Sequence, residues 1–415
     1  MTQNAKTLFD PSLEKDNCGF GLIAQRNGKK SRKLVKKSIL GLTSMTHRGA
    51  IGADGKTGDG CGLLFDLNHS FFKLKVVGEL DVELPDFFAV AQLFHKNDID
   101  FYYSSIRKFL NSQDLDIAIT RSVPVNNEVL GKIARQNLPN ISQVFITSKN
   151  TNLNKERFEA CLLQARKFIE EKFDNDEEFY VCSMSTQTIV YKGLMLPSAI
   201  DEFYLDLKDK KFEAKICLFH QRFSTNTLPR WHLAQPFRLL AHNGEINAIR
   251  GNRNWAKARK SKFSTALIPE ITTFKNLVNE KGSDSSALDN MIEILVKGGI
   301  NTFRALRMVL PPAWQNIHMM DPEIKSFHEY NSMHMEAWDG PAGIVMSEGR
   351  WAICLLDRNG LRPARYQIDN EGYVTIASEI GVFPQDESNF ITKGRIGAGG
   401  IFAIDTETGE LIDQS

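Results

Sequence analysis

Cysteine is scarce in this chain of 415 residues, and its few positions exclude two kinds of site. The six cysteines are Cys18, Cys61, Cys161, Cys182, Cys217 and Cys354, and no two have a C-x-x-C or other close metal-ligand spacing. This scatter argues against a zinc site and against an iron–sulfur cluster held within the stretch. We therefore expect no metal and no cofactor bound by this chain itself, and a reduced, cytoplasmic protein.

Long apolar runs and an excess of one charge sign are also absent. Residues 1–6 have no apolar core of signal-peptide length, and no later stretch stays apolar for the about 18 residues that a membrane span requires. Lysine plus arginine number 51 against 50 for aspartate plus glutamate, so the net charge of +1 provides no field to gather nucleic acid or anionic lipid. The predicted partners therefore include neither nucleic acid nor membrane.

What is present is the composition and periodicity of an α+β protein, with 42% hydrophobic residues to build a large core. Apolar runs predict strands over 18–27, 63–65, 87–95, 141–147 and 212–223, and a strand pair over 179–191. Helical spacing predicts helices over 31–46, 99–110 and 154–173, the first capped by Ser31. From residue 340 onward, turns at 347–349, 358–360 and 370–372 predict hairpins of an antiparallel sheet, and the glycine-rich stretch 49–62 predicts a loop.

Cys18 is the most informative residue, because it follows a short polar leader at residues 1–17. If the chain is cut between Asn17 and Cys18, the mature protein begins with a thiol and an unblocked α-amine on one residue. A thiol attacks as its thiolate, and an N-terminal amine with a pKa of about 8 accepts the thiol proton at neutral pH. The alternative is that Cys18 is a small buried residue of the first strand.

Three further segments carry polar residues that suit a binding site. Arg222 follows an apolar strand and can grip a carboxylate in a bidentate fork, although a surface salt bridge beside a turn is the alternative. The side-chain amide of Asn243 and the N–H of Gly244 make two donors for a developing oxyanion, although Asn-Gly is also a common hairpin turn. Asp284 can hold a substrate ammonium group, although an acidic or hydroxyl residue in 282–290 can simply cap the helix that follows.

Six longer runs extend these segments: DNCGFG at 16–21, HRGA at 47–50, ADGKTGDGCG at 53–62, HQRFSTNT at 220–227, PPAWQN at 311–316 and DRNGLRPAR at 357–365. Together they resemble the N-terminal glutaminase domain of the large subunit of bacterial glutamate synthase, a class II (N-terminal nucleophile) glutamine amidotransferase. The resemblance covers essentially the whole chain. It implies a leader at 1–17, a glutaminase domain at 18–415, and a four-layer αββα sandwich with two facing antiparallel sheets.

The resemblance also implies a role for individual residues. Cys18 would be the nucleophile and its α-amine the base, with Asn243 and Gly244 forming the oxyanion hole. Arg222 would hold the α-carboxylate of glutamine and Asp284 its α-ammonium. The remaining implied site residues are Thr225, Asn226 and His242, which would line the pocket less directly, and Arg48, which would either orient Cys18 or form a structural salt bridge.

The implied reaction is hydrolysis of L-glutamine to L-glutamate and ammonia through a γ-glutamyl thioester on Cys18. In the family, the ammonia aminates 2-oxoglutarate in separate domains that use FMN and an iron–sulfur cluster, and a small subunit supplies electrons. Those domains and that subunit are the implied partners. Two alternatives stay open from the sequence: another class II amidotransferase or N-terminal nucleophile amidase, and a non-catalytic module that binds glutamine or serves assembly.

Overall fold

The computed structural model of the protein describes residues 18–150, 153–222, 228–317, 319–383 and 387–413. The strands are β1 (Gly19–Gln25), β2 (Cys61–Asp66), β3 (Ala89–His95), β4 (Leu115–Ser122), β5 (Asn140–Ser148), β6 (Tyr180–Ser185), β7 (Thr188–Gly193), β8 (Ile216–Gln221), β9 (Leu240–Gly244), β10 (Ala342–Ser347), β11 (Trp351–Leu356), β12 (Arg365–Asp369), β13 (Tyr373–Ala377), β14 (Phe390–Arg395), β15 (Ile401–Asp405) and β16 (Leu411–Asp413). The α-helices are α1 (Arg32–Ser44), α2 (His69–Leu80), α3 (Ile99–Asn111), α4 (Lys132–Gln136), α5 (Lys155–Lys172), α6 (Ile200–Phe203), α7 (Ile249–Arg259), α8 (Asp284–Lys297), α9 (Thr302–Val309) and α10 (Pro322–His334).

Two antiparallel sheets face each other at the centre of the molecule. One has the strand order β14-β12-β13-β1-β8-β2-β7 and the other β16-β15-β11-β10-β9. Alternate residues of both sheets form a shared core; Phe20 and Leu22 of β1 lie in the same buried cluster as Val345 and Cys354 of the facing sheet. This alternation follows from the period of two along a strand, which sends every second side chain to the inner face.

Helices cover the outer face of each sheet. Leu34, Val35 and Leu42 of α1 pack with the outward residues of the seven-stranded sheet, and apolar residues of α8 and α9 pack with those of the five-stranded sheet. Ser31 caps α1 by accepting a hydrogen bond from the N–H of Leu34 at 3.2 Å, as its position in the sequence predicts. The predicted α+β fold with four αββα layers is therefore confirmed.

A third antiparallel sheet lies beside these layers, with the strand order β4-β5-β3-β6. Helices α3 and α5 cover one of its faces through a separate apolar cluster that includes Tyr102 and Leu162. The side-chain amide of Gln92 in β3 donates to the carbonyl of Val190 in β7 at 2.8 Å and joins this sheet to the edge of the seven-stranded sheet. Two facing sheets alone are therefore an incomplete description of the chain.

In two places, strands that are neighbours in the sequence and were predicted to pair with each other lie in different sheets. The predicted pair at 179–191 consists of β6 and β7, which lie in different sheets. The turn at 358–360 connects β11 to β12 and crosses between the facing sheets, whereas the turns at 347–349 and 370–372 do close hairpins. A turn signal marks where the chain reverses and carries no information on which sheet receives the next strand. Among the described residues, no helix is long and apolar enough to cross a membrane.

Candidate active site

Cys18 lies at the entrance to β1, a central strand of the seven-stranded sheet. Gly19, the first residue of β1, pairs with Gln221 at the end of β8. The Cys18 side chain is partly exposed, so it is neither a core residue nor a fully solvated one. The sheets approach closely here, because a β-carbon at Gly343 of β10 would lie 2.9 Å from the ring of Phe20.

The amide of Asn243 reaches across this gap to the start of β1. Its Nδ2 donates a hydrogen bond to the backbone carbonyl oxygen of Cys18 at 2.7 Å, although the two residues are 225 positions apart in the chain. Gly244 is the last residue of β9 and pairs with Ala342 of β10. The hairpin-turn alternative for Asn243 and Gly244 was therefore wrong, since both residues belong to a strand.

Gly244 occupies a position that no other residue fits without rearrangement. Its φ of +141° lies in a region that L-residues rarely adopt, and a β-carbon there would lie 1.7 Å from the carbonyl oxygen of Pro341. The carbonyl of Pro341 also accepts the N–H of Glu245 at 3.0 Å. The backbone next to Asn243 is thus held in one orientation.

Arg222 follows β8 directly and is buried, with 8% of its surface exposed. Its backbone N–H donates to the carbonyl of Gly60 at 2.8 Å, and its Nη1 lies 3.5 Å from the carbonyl of Asp59. Burial lowers the pKa of Arg222, and attraction from Cys18, Asp59 and Asp284 opposes this shift. The alternative of a surface salt bridge was wrong, and the guanidinium instead lies within electrostatic reach of Cys18 and Asp284.

Asp284 is the first residue of α8 and does not cap it. The cap is Ser283, whose hydroxyl accepts the N–H of Ser286 at 3.1 Å. The Asp284 carboxylate instead accepts the N–H of Ile246 through Oδ2 at 2.8 Å, just beyond Gly244. The capping interpretation is correct for the segment through Ser283, and it leaves Asp284 beside the end of β9.

His242 lies in β9 beneath Asn243 and is 1% exposed. Its Nδ1 lies 2.8 Å from the hydroxyl of Ser285. The side chain of Gln235 brackets the His242 backbone, accepting its N–H at 2.8 Å and donating to its carbonyl at 3.2 Å. Burial lowers the pKa of His242, against the opposing attraction of Asp284, so the imidazole is neutral at neutral pH.

Arg48 lies beside the start of β1 and forms an ion pair with Glu379. His47 Nε2 lies 2.8 Å from the same carboxylate. The stem of Arg48 packs against Gly19, where a β-carbon would lie 3.1 Å from Arg48 Cγ. The structure thus contains the salt bridge of the structural alternative, next to the residue that follows Cys18. Thr225 and Asn226 lie outside the described residues.

The comparison with known families shows which family the chain belongs to. The sequence profile of the class-II glutamine amidotransferases matches residues 18–415. The chain belongs to this family. The match begins at Cys18 and includes each of the described residues discussed above.

Curated relatives of this amidotransferase chain are glutamate synthases. It is 38% identical over 421 residues to "Glutamate synthase [NADH]" of Saccharomyces cerevisiae, which covers 98% of the chain and 20% of the yeast protein. It is 38% identical to "Glutamate synthase [NADPH] large chain" of Azospirillum brasilense over 97% of the chain and 27% of that protein. The corresponding Bacillus subtilis large chain is also 38% identical, over 99% of the chain and 28% of its own length. The chain therefore spans about a fifth to just over a quarter of these relatives.

Sequence reasoning missed four residues that shape the amidotransferase site: Gly60, Gln235, Ser285 and Glu379. Gly60 lies in the glycine-rich loop, whose composition is a signal for close backbone approach. The sequence shows that Ser285 is adjacent to Asp284, but it does not show that Ser285 contacts His242. Gln235 lies seven positions before His242, but no recognisable motif contains it. Glu379 carries no local signal, because its contact with Arg48 joins segments 331 positions apart in the chain.

The iron–sulfur cluster that the resemblance implies for a glutamate synthase does not fit the described residues of this chain. Among the described residues, no three His, Cys, Asp or Glu side chains are grouped to hold a metal ion. All six cysteines are described, and none forms a disulfide. Since Cys61, Cys182, Cys217 and Cys354 are buried in separate strands, they cannot supply the convergent thiolates that an iron–sulfur cluster needs.

Proposed function

We propose that this chain hydrolyses L-glutamine to L-glutamate and ammonia, with Cys18 as the nucleophile, as the glutaminase part of a glutamate synthase. The observation that carries the proposal is the hydrogen bond from Asn243 Nδ2 to the Cys18 carbonyl at 2.7 Å. It joins the only partly exposed cysteine among the six to the Asn-Gly pair that the family resemblance assigns to the oxyanion hole. Arg222 lies within electrostatic reach of Cys18 and Asp284, and Asp284 accepts the N–H of Ile246 just beyond Gly244.

The first step is attack by the thiolate of Cys18 on the side-chain amide carbon of glutamine. The α-amine of the same residue has first taken the thiol proton, which leaves the thiolate as the attacking form. Charge then develops on the amide oxygen, where the Asn243 amide and the Gly244 N–H serve as donors. Each donor of such a pair contributes about 3 to 4 kcal/mol in acyl transfer. The fixed backbone at Gly244 keeps its N–H from reorienting during the step.

The second step expels ammonia and releases glutamate. The α-amine returns its proton to the leaving nitrogen, the carbon–nitrogen bond breaks, and a γ-glutamyl thioester remains on Cys18. Water then adds to the thioester, so that glutamate leaves and the thiol is restored. Each step is balanced in atoms and needs no oxidant or reductant.

The substrate's amino-acid end determines which charges the pocket must present. Glutamine carries a carboxylate and an ammonium on one carbon, and Arg222 and Asp284 have the opposite charges. Because neither group touches the scissile amide, we assign them binding and orientation, not bond cleavage. Thr225, Asn226 and His242 are proposed to line the same pocket, and Arg48 to support the start of β1 through Glu379.

Exposure of the α-amine requires removal of residues 1–17, which we propose to be a propeptide. The start of the family match at residue 18 supports this. Intact-mass analysis of purified, active protein should show a chain that begins at Cys18. A fully active species that retains residues 1–17 would contradict the proposal.

The names of the relatives support the proposed use of the product. We propose that ammonia passes to the remaining synthase domains of a longer cytoplasmic enzyme, which use FMN and an iron–sulfur cluster to aminate 2-oxoglutarate. The proposed partners are those domains and a small electron-donating subunit. The cofactor chemistry resides in those partners and involves no residue of this chain.

An ammonia-release assay run beside a calorimetric glutamine titration tests the proposal. We expect glutamine-dependent ammonia from the unmodified chain, none from Cys18→Ser, and unchanged release from Cys61→Ser, Cys182→Ser and Cys354→Ser. Glutamine binding without ammonia would instead identify a non-catalytic module. Equal loss in all four variants would mean that the substitutions damage the fold and that Cys18 has no special role.

A further inference from the structure

A chain of polar contacts connects β9 to α8 beneath the proposed substrate pocket. His242 Nδ1 lies 2.8 Å from the hydroxyl oxygen of Ser285, and that oxygen lies 3.3 Å from Oδ1 of Asp284. Asp284 Oδ2 accepts the N–H of Ile246 at 2.8 Å. Both carboxylate oxygens are thus held from the protein side, one by β9 through Ser285 and the other by the segment after it.

The direction of each hydrogen bond in this series of contacts depends on which ring nitrogen of His242 carries the proton. A hydroxyl has one proton, so Ser285 can donate to Asp284 only if it accepts from His242. We therefore take the ring proton of His242 to be on Nδ1. In this tautomer the imidazole N–H donates to the hydroxyl, and the hydroxyl donates to the carboxylate.

Burial makes this arrangement sensitive to the loss of one hydroxyl. Ser285 is 4% exposed and His242 is 1% exposed, so the contact between them is buried, whereas the contact of Ser285 with Asp284 is partly buried. Removal of the hydroxyl would leave the ring N–H and one carboxylate oxygen without these partners, which is costly in a buried setting. A charged oxygen that loses a donor reorients toward another donor, and the N-terminal N–H groups of α8 are nearby.

From these contacts we infer that Ser285 is a positioning residue, which bridges His242 and Asp284 so that the Asp284 carboxylate faces the ammonium group of the amino-acid substrate. The inference rests on the proposed function and adds a residue to it. Its consequence is a fixed distance between the oxyanion donors on β9 and the ammonium contact on α8. Ser285 itself touches neither the substrate amide nor Cys18 in this arrangement.

The test compares glutamine with glutaramate, its deaminated analogue, which keeps the amide and the carboxylate and lacks the ammonium group. We expect Ser285→Ala to raise KM for glutamine about tenfold with kcat within about twofold, as for loss of a charge-assisted contact to the ground state. Hydrolysis of glutaramate should be unchanged. Ser285→Thr, which keeps the hydroxyl, should restore most of the glutamine affinity.

A matched control separates this role from general damage to the helix. Ser286 is equally buried at 4% exposure, and its hydroxyl contacts Ser283 and Asn279, not Asp284. Ser286→Ala should leave KM for glutamine unchanged. If Ser285→Ala does not fold, Ser285→Cys keeps the size of the side chain and replaces the hydroxyl with a weaker donor, so it should raise KM for glutamine and leave glutaramate hydrolysis unchanged.

Two results would overturn the inference: an unchanged KM for glutamine in Ser285→Ala, or an equal loss with glutamine and glutaramate. If the unmodified chain binds glutamine without hydrolysing it, the proposed function fails, and the calorimetric Kd replaces KM in the same comparison. If it binds no glutamine, both the function and the inference fail.

Discussion

The six cysteines differ in burial: Cys18 is partly exposed and the other five are buried. Burial raises the pKa of Cys61, Cys161, Cys217 and Cys354, and it raises the pKa of Cys182 to about 12. A thiol with a raised pKa and no access to solvent reacts slowly, because the thiolate is the reactive form. Cys18 is therefore expected to be the reactive thiol, because the other five cysteines are buried.

Selective alkylation checks this difference. In the folded protein at about pH 8, near the pKa of an ordinary thiol, we expect iodoacetamide to modify Cys18 and to leave the other five cysteines unmodified. Peptide mapping identifies the modified site, and unfolding in denaturant should make all six reactive. Rapid labelling of Cys61 or Cys354 in the folded chain would contradict the prediction.

At Gly244, the addition of a single β-carbon is expected to impair glutamine hydrolysis. We expect Gly244→Ala to lower kcat for glutamine hydrolysis at least about 100-fold, because the new β-carbon displaces the N–H proposed as an oxyanion donor. The physical reason is the φ of +141° together with a contact of 1.7 Å to the carbonyl of Pro341. Ammonia release and thermal unfolding should be measured together.

A glycine in open space is the matched control for this substitution. Gly251 lies inside α7, and a β-carbon there meets nothing within 4 Å. Gly251→Ala should therefore stabilise the chain by up to about 1 kcal/mol and leave kcat unchanged. Equal activity in the two alanine variants would show that the Gly244 backbone has no role in the reaction.

At the scale of elements, local pattern was a good guide to strands and helices and a poor guide to their partners. The helix predicted over 154–173 is observed as Lys155–Lys172, because its apolar spacing and its capping Asn154 are both local. The assignment of β6 and β7 to different sheets depends on contacts with β3 and β2, which are distant in the chain. For the same reason the third sheet could not be separated from the two facing sheets.

The candidate site shows the same limit. Cys18, Arg222 and Asn243 were found because each ends or begins a strand in a recognisable run. Their mutual approach comes from the packing of β1 against β9 and β10, and no pattern within one segment encodes that packing. Ser283 and Asp284 are adjacent and both are residue types that cap helices, and only the geometry of the first turn of α8 shows that Ser283 is the cap.

Two positive charges lie opposite each other at one edge of the seven-stranded sheet. Arg365 of β12 pairs directly with Arg395 of β14, an edge strand, and both side chains are exposed. They line a cavity of about 550 Å³ on the outer face of the seven-stranded sheet. No carboxylate among the described residues forms an ion pair with either guanidinium. Like charges directly opposite across two strands are destabilising.

Reversal of one charge should therefore stabilise the sheet edge. We expect Arg395→Glu to raise the free energy of unfolding by about 0.5 to 1 kcal/mol, and the neutral Arg395→Gln to give a smaller gain. Denaturant unfolding at low and high salt checks this, because screening should shrink the effect to near zero at about 1 M salt. A loss of stability in Arg395→Glu at low salt would contradict the prediction.

At the scale of the whole molecule, the layers explain why a polar site can exist in a dry interior. The facing sheets bury Phe20 and Val345 between them, and the strand ends beyond that core leave a rim of polar groups. Asn243, Arg222 and Asp284 come from three different elements at this rim, each held by a backbone contact. The rigid core thus positions groups that loops alone would hold less well.

Burial also leaves the fold with many neutral histidines, which predicts acid sensitivity. Burial lowers the pKa of His69, His95, His220, His232, His242 and His328. A histidine whose folded pKa lies below its unfolded value of about 6.5 stabilises the fold fully above pH 6.5 and loses that contribution as pH falls toward the folded pKa. Carboxylates such as Glu170, with a pKa lowered to about 2, lose theirs only at lower pH.

His220 is the sharpest case, because it is fully buried and burial lowers its pKa to about 3. His220 stays neutral in the folded state and is protonated in the unfolded state below pH 6.5. This difference lowers the free energy of unfolding by about 1.4 kcal/mol for each pH unit below 6.5, or about 2 kcal/mol between pH 7 and pH 5. His220→Gln removes the titrating group, so we expect this variant to lose about 2 kcal/mol less than the unmodified chain over the same interval. Burial raises the pKa of Asp289 to about 6, which acts with the opposite sign in this window, so only the difference between the two chains isolates His220. Denaturant unfolding of both chains at the two pH values gives that difference. Equal pH slopes in the two chains would show that His220 does not gain a proton on unfolding.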